Sequence, residues 1–337
     1  MGVVEWLLDS DPAIRWQVMR DLTDATDDAI AAERARVTTE GWGARLLGLQ
    51  RRDGQWDGGA PAFSSTAAAT WWQSLPPDRQ GTLFPEWTST TWSLALLRAF
   101  GLDPASEAAR RAVRLVREQV RWEHDGEPYF VGEVEPCING RTVAIGAYFG
   151  EDVRDIVERL LGEQMKDGGW NCEQENGSTR GSFHSTIDVL EGLLEYERAA
   201  GGPPEVTAAR LRGEAYLVER RMHRRLLTGE VIDRDRKTNR PAAWSKFSYP
   251  TYWHYDVLRG LDYLRAAGAM PDERVAEAIQ LVEAKRDADG RWRLENPHPG
   301  RVYFAMDEGE GQPSRWNTLR ALRVLRWYEQ AIPRGPR

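Results

Sequence analysis

Apolar residues recur at helical spacing in paired segments along the chain. RLLGLQ (45–50), AVRLVREQV (112–120), IVERLLGEQ (156–164) and AEAIQLVEAK (276–285) each place leucine, isoleucine or valine along one face, which predicts amphipathic helices. Each runs into an Asp-Gly pair at Asp53-Gly54, Asp125-Gly126, Asp167-Gly168 or Asp289-Gly290, and an aromatic residue mostly follows: Trp56, Tyr129, Trp170 and Trp292. Glycine in a turn ends a helix because it adopts positive φ at no steric cost, so the pattern reads as helix, then stop.

An irregular stretch follows each turn, and then a second helical pattern opens at a Ser, Thr or Pro. These second segments are TSTTWSLALLRAFGL (88–102), GSFHSTIDVLEGLLEY (181–196), PTYWHYDVLRGLDYL (250–264) and PSRWNTLRALRVLRWY (313–328). Stretches within them such as ALLRAF and TLRALRVL are apolar nearly all round, so a second face must also be hidden. CINGRTVAIGAYFG (137–150) occupies the same place in its unit but is richer in glycine. The spacing predicts five hairpin units beginning near residues 43, 107, 153, 211 and 274. No long Pro/Gly/Ser linker divides them. The expectation is an all-α protein: one α/α toroid of inner and outer helices over residues 41–330, with an N-terminal helical segment (1–40) packed on the ring and a short tail (331–337). In such a ring the inner helices aim their N-termini at one rim, where function is expected.

Composition narrows the picture. The chain has 337 residues, is 41% hydrophobic and 29% charged, and shows no apolar window long enough for a membrane span, so a water-soluble protein is expected. The N-terminus lacks the basic and apolar regions of a secretory signal. With two cysteines and a net charge of -7, the sequence suits a reducing, cytoplasmic setting and gives no basic excess for a nucleic-acid partner. The 15 tryptophans demand either large apolar environments or a surface for stacking on a ligand.

The repeated residues resemble a known family. Gln50-x3-Gly54-x-Trp56 and Gln164-x3-Gly168-x-Trp170 are similar to the QW repeat of squalene and terpenoid cyclases, while Asp289-Gly290-Arg291-Trp292 lacks the glutamine. GSFHSTIDVLEGL resembles the part of protein prenyltransferase β subunits where a zinc-binding histidine opens an inner helix. The resemblance implies an α/α barrel and an apolar or isoprenoid small-molecule ligand in a central cavity. It stops short of the cyclase reaction, because no Asp-x-Asp-Asp tetrad is present to protonate an alkene or epoxide. The acidic clusters at Asp24–Asp28, Asp233–Asp235 and Asp307-Glu308 have the wrong spacing and read as surface charge.

Candidate chemistry gathers at the starts of the inner helices. Cys137, Cys172 and His184 would approach one rim in a toroid, and two thiolates with an imidazole suit a zinc ion with one open position; the competing reading is small core residues. His184 with Asp188, and His254 with Asp256, form similar pairs on adjacent inner helices. They suit proton transfer, although an acid in a first turn also complements the helix dipole. Trp87, Trp92, Trp170, Trp253, Tyr255 and Trp316 are the expected aromatic ligand wall, with Trp71, Trp72 and Trp244 nearby. A metal-assisted transferase or hydrolase, a carbohydrate-active barrel with two opposed acids and a non-enzymatic helical-repeat binder all remain open at this point.

Overall fold

A computed structural model describes residues 1–57, 87–122, 126–234 and 242–331. Trp71, Trp72, Asp125 and Asp235 lie outside the described residues. The chain is all-α. The helices are α1 (Val3–Leu8), α2 (Pro12–Leu22), α3 (Asp27–Ala35), α4 (Gly41–Gly48), α5 (Thr90–Phe100), α6 (Glu107–Gln119), α7 (Pro136–Phe149), α8 (Arg154–Gly162), α9 (Phe183–Ala200), α10 (Pro204–Glu219), α11 (Val257–Ala266), α12 (Ala276–Ala284) and α13 (Arg315–Ala331). Two short strands, β1 (Trp292–Arg293) and β2 (Pro313–Ser314), pair antiparallel. None of the described helices is long and apolar enough to cross a membrane.

The helices form a closed α/α ring. α5 packs on α7, α7 on α9, α11 on α13, α13 on α2 and α2 on α5. Ion pairs from Arg259 to Asp188 and Glu191 join α11 to α9 and complete the circle. The N-terminal α2 is therefore an inner helix, set between the last inner helix and the next one along. Outer helices bury one stripe: in α6 it is Ala109, Ala112, Val113 and Val116, a strict i, i+3, i+4, i+7 set. Inner α7 is buried over most of its length, from Pro136 to Ala147. Its glycines have a packing reason. A Cβ on Gly140 would sit 2.6 Å from the backbone of Asp188, and one on Gly192 would sit 2.4 Å from the Gly140 carbonyl, so α7 and α9 meet backbone to backbone.

Turn tryptophans lock three outer helices, α4, α8 and α12, to the inner helices that follow them. Trp56, Trp170 and Trp292 are fully buried, and their indole N–H groups donate to the carbonyls of Leu46, Leu160 and Val282 at 2.8, 2.7 and 2.7 Å. Their backbone N–H groups donate to Thr90, Thr186 and Thr318 on the next inner helix. Gln50 bridges the carbonyls of Gly54 and Ala112, and Gln164 bridges those of Gly168 and Ala209. At the third turn Arg286 takes the place of glutamine and lies 5.7 Å from the Trp292 ring.

Two boundaries differ from the sequence expectation. α10 begins at Pro204, seven residues before 211, because Pro204 fits the first helical position, where no N–H is needed. α11 begins at Val257, so His254 lies in the preceding loop and does not open the helix. Asp256 sets that start by accepting from the Arg259 N–H, and Tyr252 upstream has φ +47°, outside helical space.

Candidate functional site

The N-terminal rim gathers three of the five histidines. The His254 and His298 rings stack at 3.5 Å between centroids, and His184 lies 6.0 Å from His254, nearly perpendicular to it. Trp253 stacks on the other side of His254 at 3.8 Å. Trp87 stacks on Tyr252 at 3.9 Å, with Trp92 edge-on to both and His254 edge-on to Trp87. The imidazoles and Trp253 are half-buried, whereas Trp87, Trp92 and Tyr252 are buried behind them. Cation-stabilising ring faces and titratable nitrogens thus share one wall.

Hydrogen bonds fix how those rings present themselves. His184 Nδ1 accepts from the Tyr255 backbone N–H at 2.8 Å, which leaves its proton on Nε2. Ser248 Oγ donates to Asp256 Oδ2 at 3.0 Å, so it receives the His298 Nε2–H at 3.2 Å and leaves His298 Nδ1 with a free lone pair. His254 Nδ1 is buried without a hydrogen-bond partner. Burial, then the neighbouring His298 and His184, holds His254 well below the usual imidazole range. Burial also lowers His298, to about 3. Both rings are neutral at pH 7 and suit proton acceptance or hydrogen bonding better than acid catalysis.

The carboxylates expected to pair with these histidines do other work. Asp188 is 1% exposed and is gripped by Arg141 and by Arg259, the latter at 2.7 Å. Burial pushes Asp188 up, and the two guanidiniums pull in the opposite direction. Burial would also raise Glu191, but Arg259 and Arg141 outweigh it and hold that carboxyl far below the usual range. Asp256 is the N-cap of α11. Further down the ring Arg98 of α5 reaches Glu195 of α9 at 2.6 Å, past the intervening α7. The bore is therefore crossed by ion pairs.

The aromatic residues expected to line the site divide in two. Trp87, Trp92 and Trp253 join the imidazole group. Trp170 is locked into its turn, Tyr255 is buried with its hydroxyl on the Met222 carbonyl at 2.7 Å, and Trp316 stacks on Tyr249 at 4.3 Å in a separate cluster with Trp42 and Phe100. Sequence reading omitted Tyr252, His298 and Ser248, all on loops that carry no helical period. Of the acidic clusters, Asp24, Asp27, Asp28 and Asp233 are exposed. Asp307 is half-buried against Ser314 and the Arg315 N–H, and burial raises its carboxyl to about 6.

Cys137 and Cys172 meet, with their sulfurs 2.9 Å apart. Glu135, at the N-cap of α7, and not His184, supplies the third donor: its carboxylate and the two sulfurs lie within 4.8 Å of one another. The hydrogen bond with Cys172, then burial, pushes the Cys137 thiol well up, and burial raises Glu135. Two sulfurs and a carboxylate fit a thiophilic divalent ion by donor chemistry. To straddle a tetrahedral zinc, with bonds of about 2.3 Å to sulfur, the two sulfurs would have to part by roughly 1 Å.

No family model matches the chain, and a search of curated proteins finds no match. Among solved structures, the chain is similar to a type II terpene cyclase from Scytonema in complex with its substrate, geranylgeranyl dihydroxybenzoate. The identity is 15% over 89% of this chain and 97% of that one, and the TM-score is 0.35.

Proposed function

We propose that the protein binds an extended apolar small molecule of isoprenoid type at the N-terminal rim of its ring. The observation that carries this reading is the packing of neutral imidazoles among aromatic faces, with Trp253 and His254 stacked at 3.8 Å and half-exposed. Such a wall offers apolar area and π-faces for a hydrocarbon chain, together with His298 Nδ1 as an acceptor for a single polar end. If the bound molecule reacts, His298 and His184 are the proton-transfer groups, and Asp188 and Asp256 act only by holding the helices and loops that position them. Protonation of an alkene is disfavoured as the reaction, since His254 and His298 are neutral at pH 7 and no Asp-x-Asp-Asp tetrad is present.

A metal at Glu135, Cys137 and Cys172 would supply a Lewis acid beside this wall, and the side chains would hold it through two sulfurs and one oxygen. A carbohydrate-active reading has less support, because it needs two carboxyls facing a substrate and both Asp188 and Asp256 are taken up by internal partners.

Fluorescence titration of the full chain with geranylgeraniol, and separately with cellohexaose, tests the proposal. Saturable quenching by the isoprenoid alcohol, weakened at least tenfold in Trp253→Ala, is expected. Quenching by the sugar alone, or by neither probe, overturns it.

A further inference from the structure

At the end of the ring opposite the imidazoles lies a cavity of about 570 Å³, lined by residues of all six inner helices. Six arginines reach it: Arg20, Arg34, Arg98, Arg198, Arg265 and Arg323. Asp21 and Glu195 are the carboxylates in its wall, and Asp262 stands behind, paired with Arg265 at 2.8 Å. Six cations less three anions leaves an excess of three positive charges, in a chain whose formal net charge is -7.

Helix C-termini carry partial negative charge, and some of this basicity answers it. Arg34 donates to the Gly101 carbonyl at 2.8 Å, and Arg198 donates to the Ala266 carbonyl at 2.5 Å. Arg34 also donates Nη2 to the Tyr148 hydroxyl at 3.0 Å, so two N–H groups of Arg34 and one of Arg198 are used and the rest of each guanidinium is left over. Arg20 and Arg323 share Asp21, and Arg98 holds Glu195. Among the described residues no carboxylate pairs with Arg34 or Arg198. Burial lowers Arg198 against the pull of Glu195, with Arg98 and Arg265 adding to the effect, while burial lowers Arg323 to about 10 against the pull of Asp21 and Asp262. The cavity thus gathers more guanidiniums than carboxylates.

We infer that this cavity binds a multiply charged phosphate-type oxyanion, with Arg198 and Arg34 as its principal ligands. The planar guanidinium fork matches two phosphate oxygens at once. Three surplus charges suit a diphosphate better than a monophosphate, and the volume leaves room for a small organic group attached to it. The anion comes either free or carried on a small molecule, and both sources share this chemistry.

Calorimetric titration of the full chain with inorganic diphosphate, inorganic phosphate and ADP, at fixed ionic strength, tests the inference. Inorganic diphosphate is expected to bind once per chain, more tightly than phosphate and less tightly as salt rises. Arg198→Gln and Arg34→Gln should each weaken it by about tenfold or more, the loss of one charge-assisted contact. Arg51→Gln, in an exposed pair at the other end of the ring, should leave it unchanged. Tighter binding of ADP points to a carried anion, and equal or weaker binding points to the free one. Absence of saturable binding at millimolar diphosphate, or unaltered affinity in both variants with melting temperatures like the parent's, overturns it.

Discussion

Arg259 donates Nη2 to Asp188 Oδ1 at 2.7 Å between α11 and α9, and neither side chain is more than 3% exposed. The same guanidinium holds Glu191 through Nε at 2.8 Å and caps the His254 carbonyl through Nη1 at 2.9 Å. One residue therefore closes the ring and fixes the loop that carries an imidazole of the rim. Removing one partner of such a pair strands the other charge in the interior, which costs about 3–5 kcal/mol. Arg259→Met should lower the urea midpoint accordingly at an unchanged slope, while Arg154→Met, in an exposed pair, should move it little. Equal shifts in the two variants would mean that the buried network contributes no more than a surface pair.

The turn staple gives a graded prediction. Gln164 donates to two backbone carbonyls that belong to different hairpins, Gly168 and Ala209. Gln164→Ala should cost roughly 1–3 kcal/mol, the range for partly buried bonds left unmade. Trp170→Ala, which empties a fully buried indole site, should cost about 3–5 kcal/mol. Thermal or urea unfolding reads both, and the order of the two losses is the test.

Much of this architecture was legible in the chain because it rests on periodicity and on turns. The stripe of Ala109, Ala112, Val113 and Val116 and the glycines before Trp56, Trp170 and Trp292 announce helix, stop and staple in order. The ion pairs were not legible. Arg141 and Arg259 look like solvent-facing charges in an inner segment, and only their partners on a neighbouring helix explain why they are buried. Asp188 and Asp256 occupy the same place in Asp-Val-Leu-x-Gly-Leu, yet α9 has already begun at Phe183 whereas α11 begins only at Val257, so one lies within a helix and the other caps an N-terminus. His298 and Glu135 escaped notice because each joins its group through a loop or a long-range approach, where spacing carries no signal.

The imidazoles make stability depend on pH in a defined direction. The folded-state values of His254 and His298 lie below the ordinary 6.5, so the unfolded chain binds more protons in the interval between. Their contribution is fully present above about pH 6.5 and declines as pH falls toward the folded values, by roughly 1.4 kcal/mol per pH unit for each ring. Asp307 opposes this: with its carboxyl raised to about 6, it binds a proton more readily when folded and favours the native state as pH drops through that value. Comparing the parent with His298→Gln at pH 7 and pH 5 isolates one ring. The variant should lose less stability between the two, and identical losses would show that His298 is not held neutral by the fold.

The thiol pair offers the most direct reading of the rim's chemistry. Cys137 is held as a thiol by its bond with Cys172 and by burial, so a divalent ion must displace its proton to bind. Cobalt, a coloured substitute for zinc, should give a sulfur-to-metal absorption band whose apparent affinity rises up to about tenfold per pH unit for each proton released. Cys172→Ser should abolish the band, and Glu135→Gln should weaken binding while keeping the sulfur signature. Cobalt bound equally well by Cys172→Ser, or with an affinity indifferent to pH, would place the ion away from these sulfurs. The two cysteines would then be a packed pair, and the rim would be left with the imidazole wall alone.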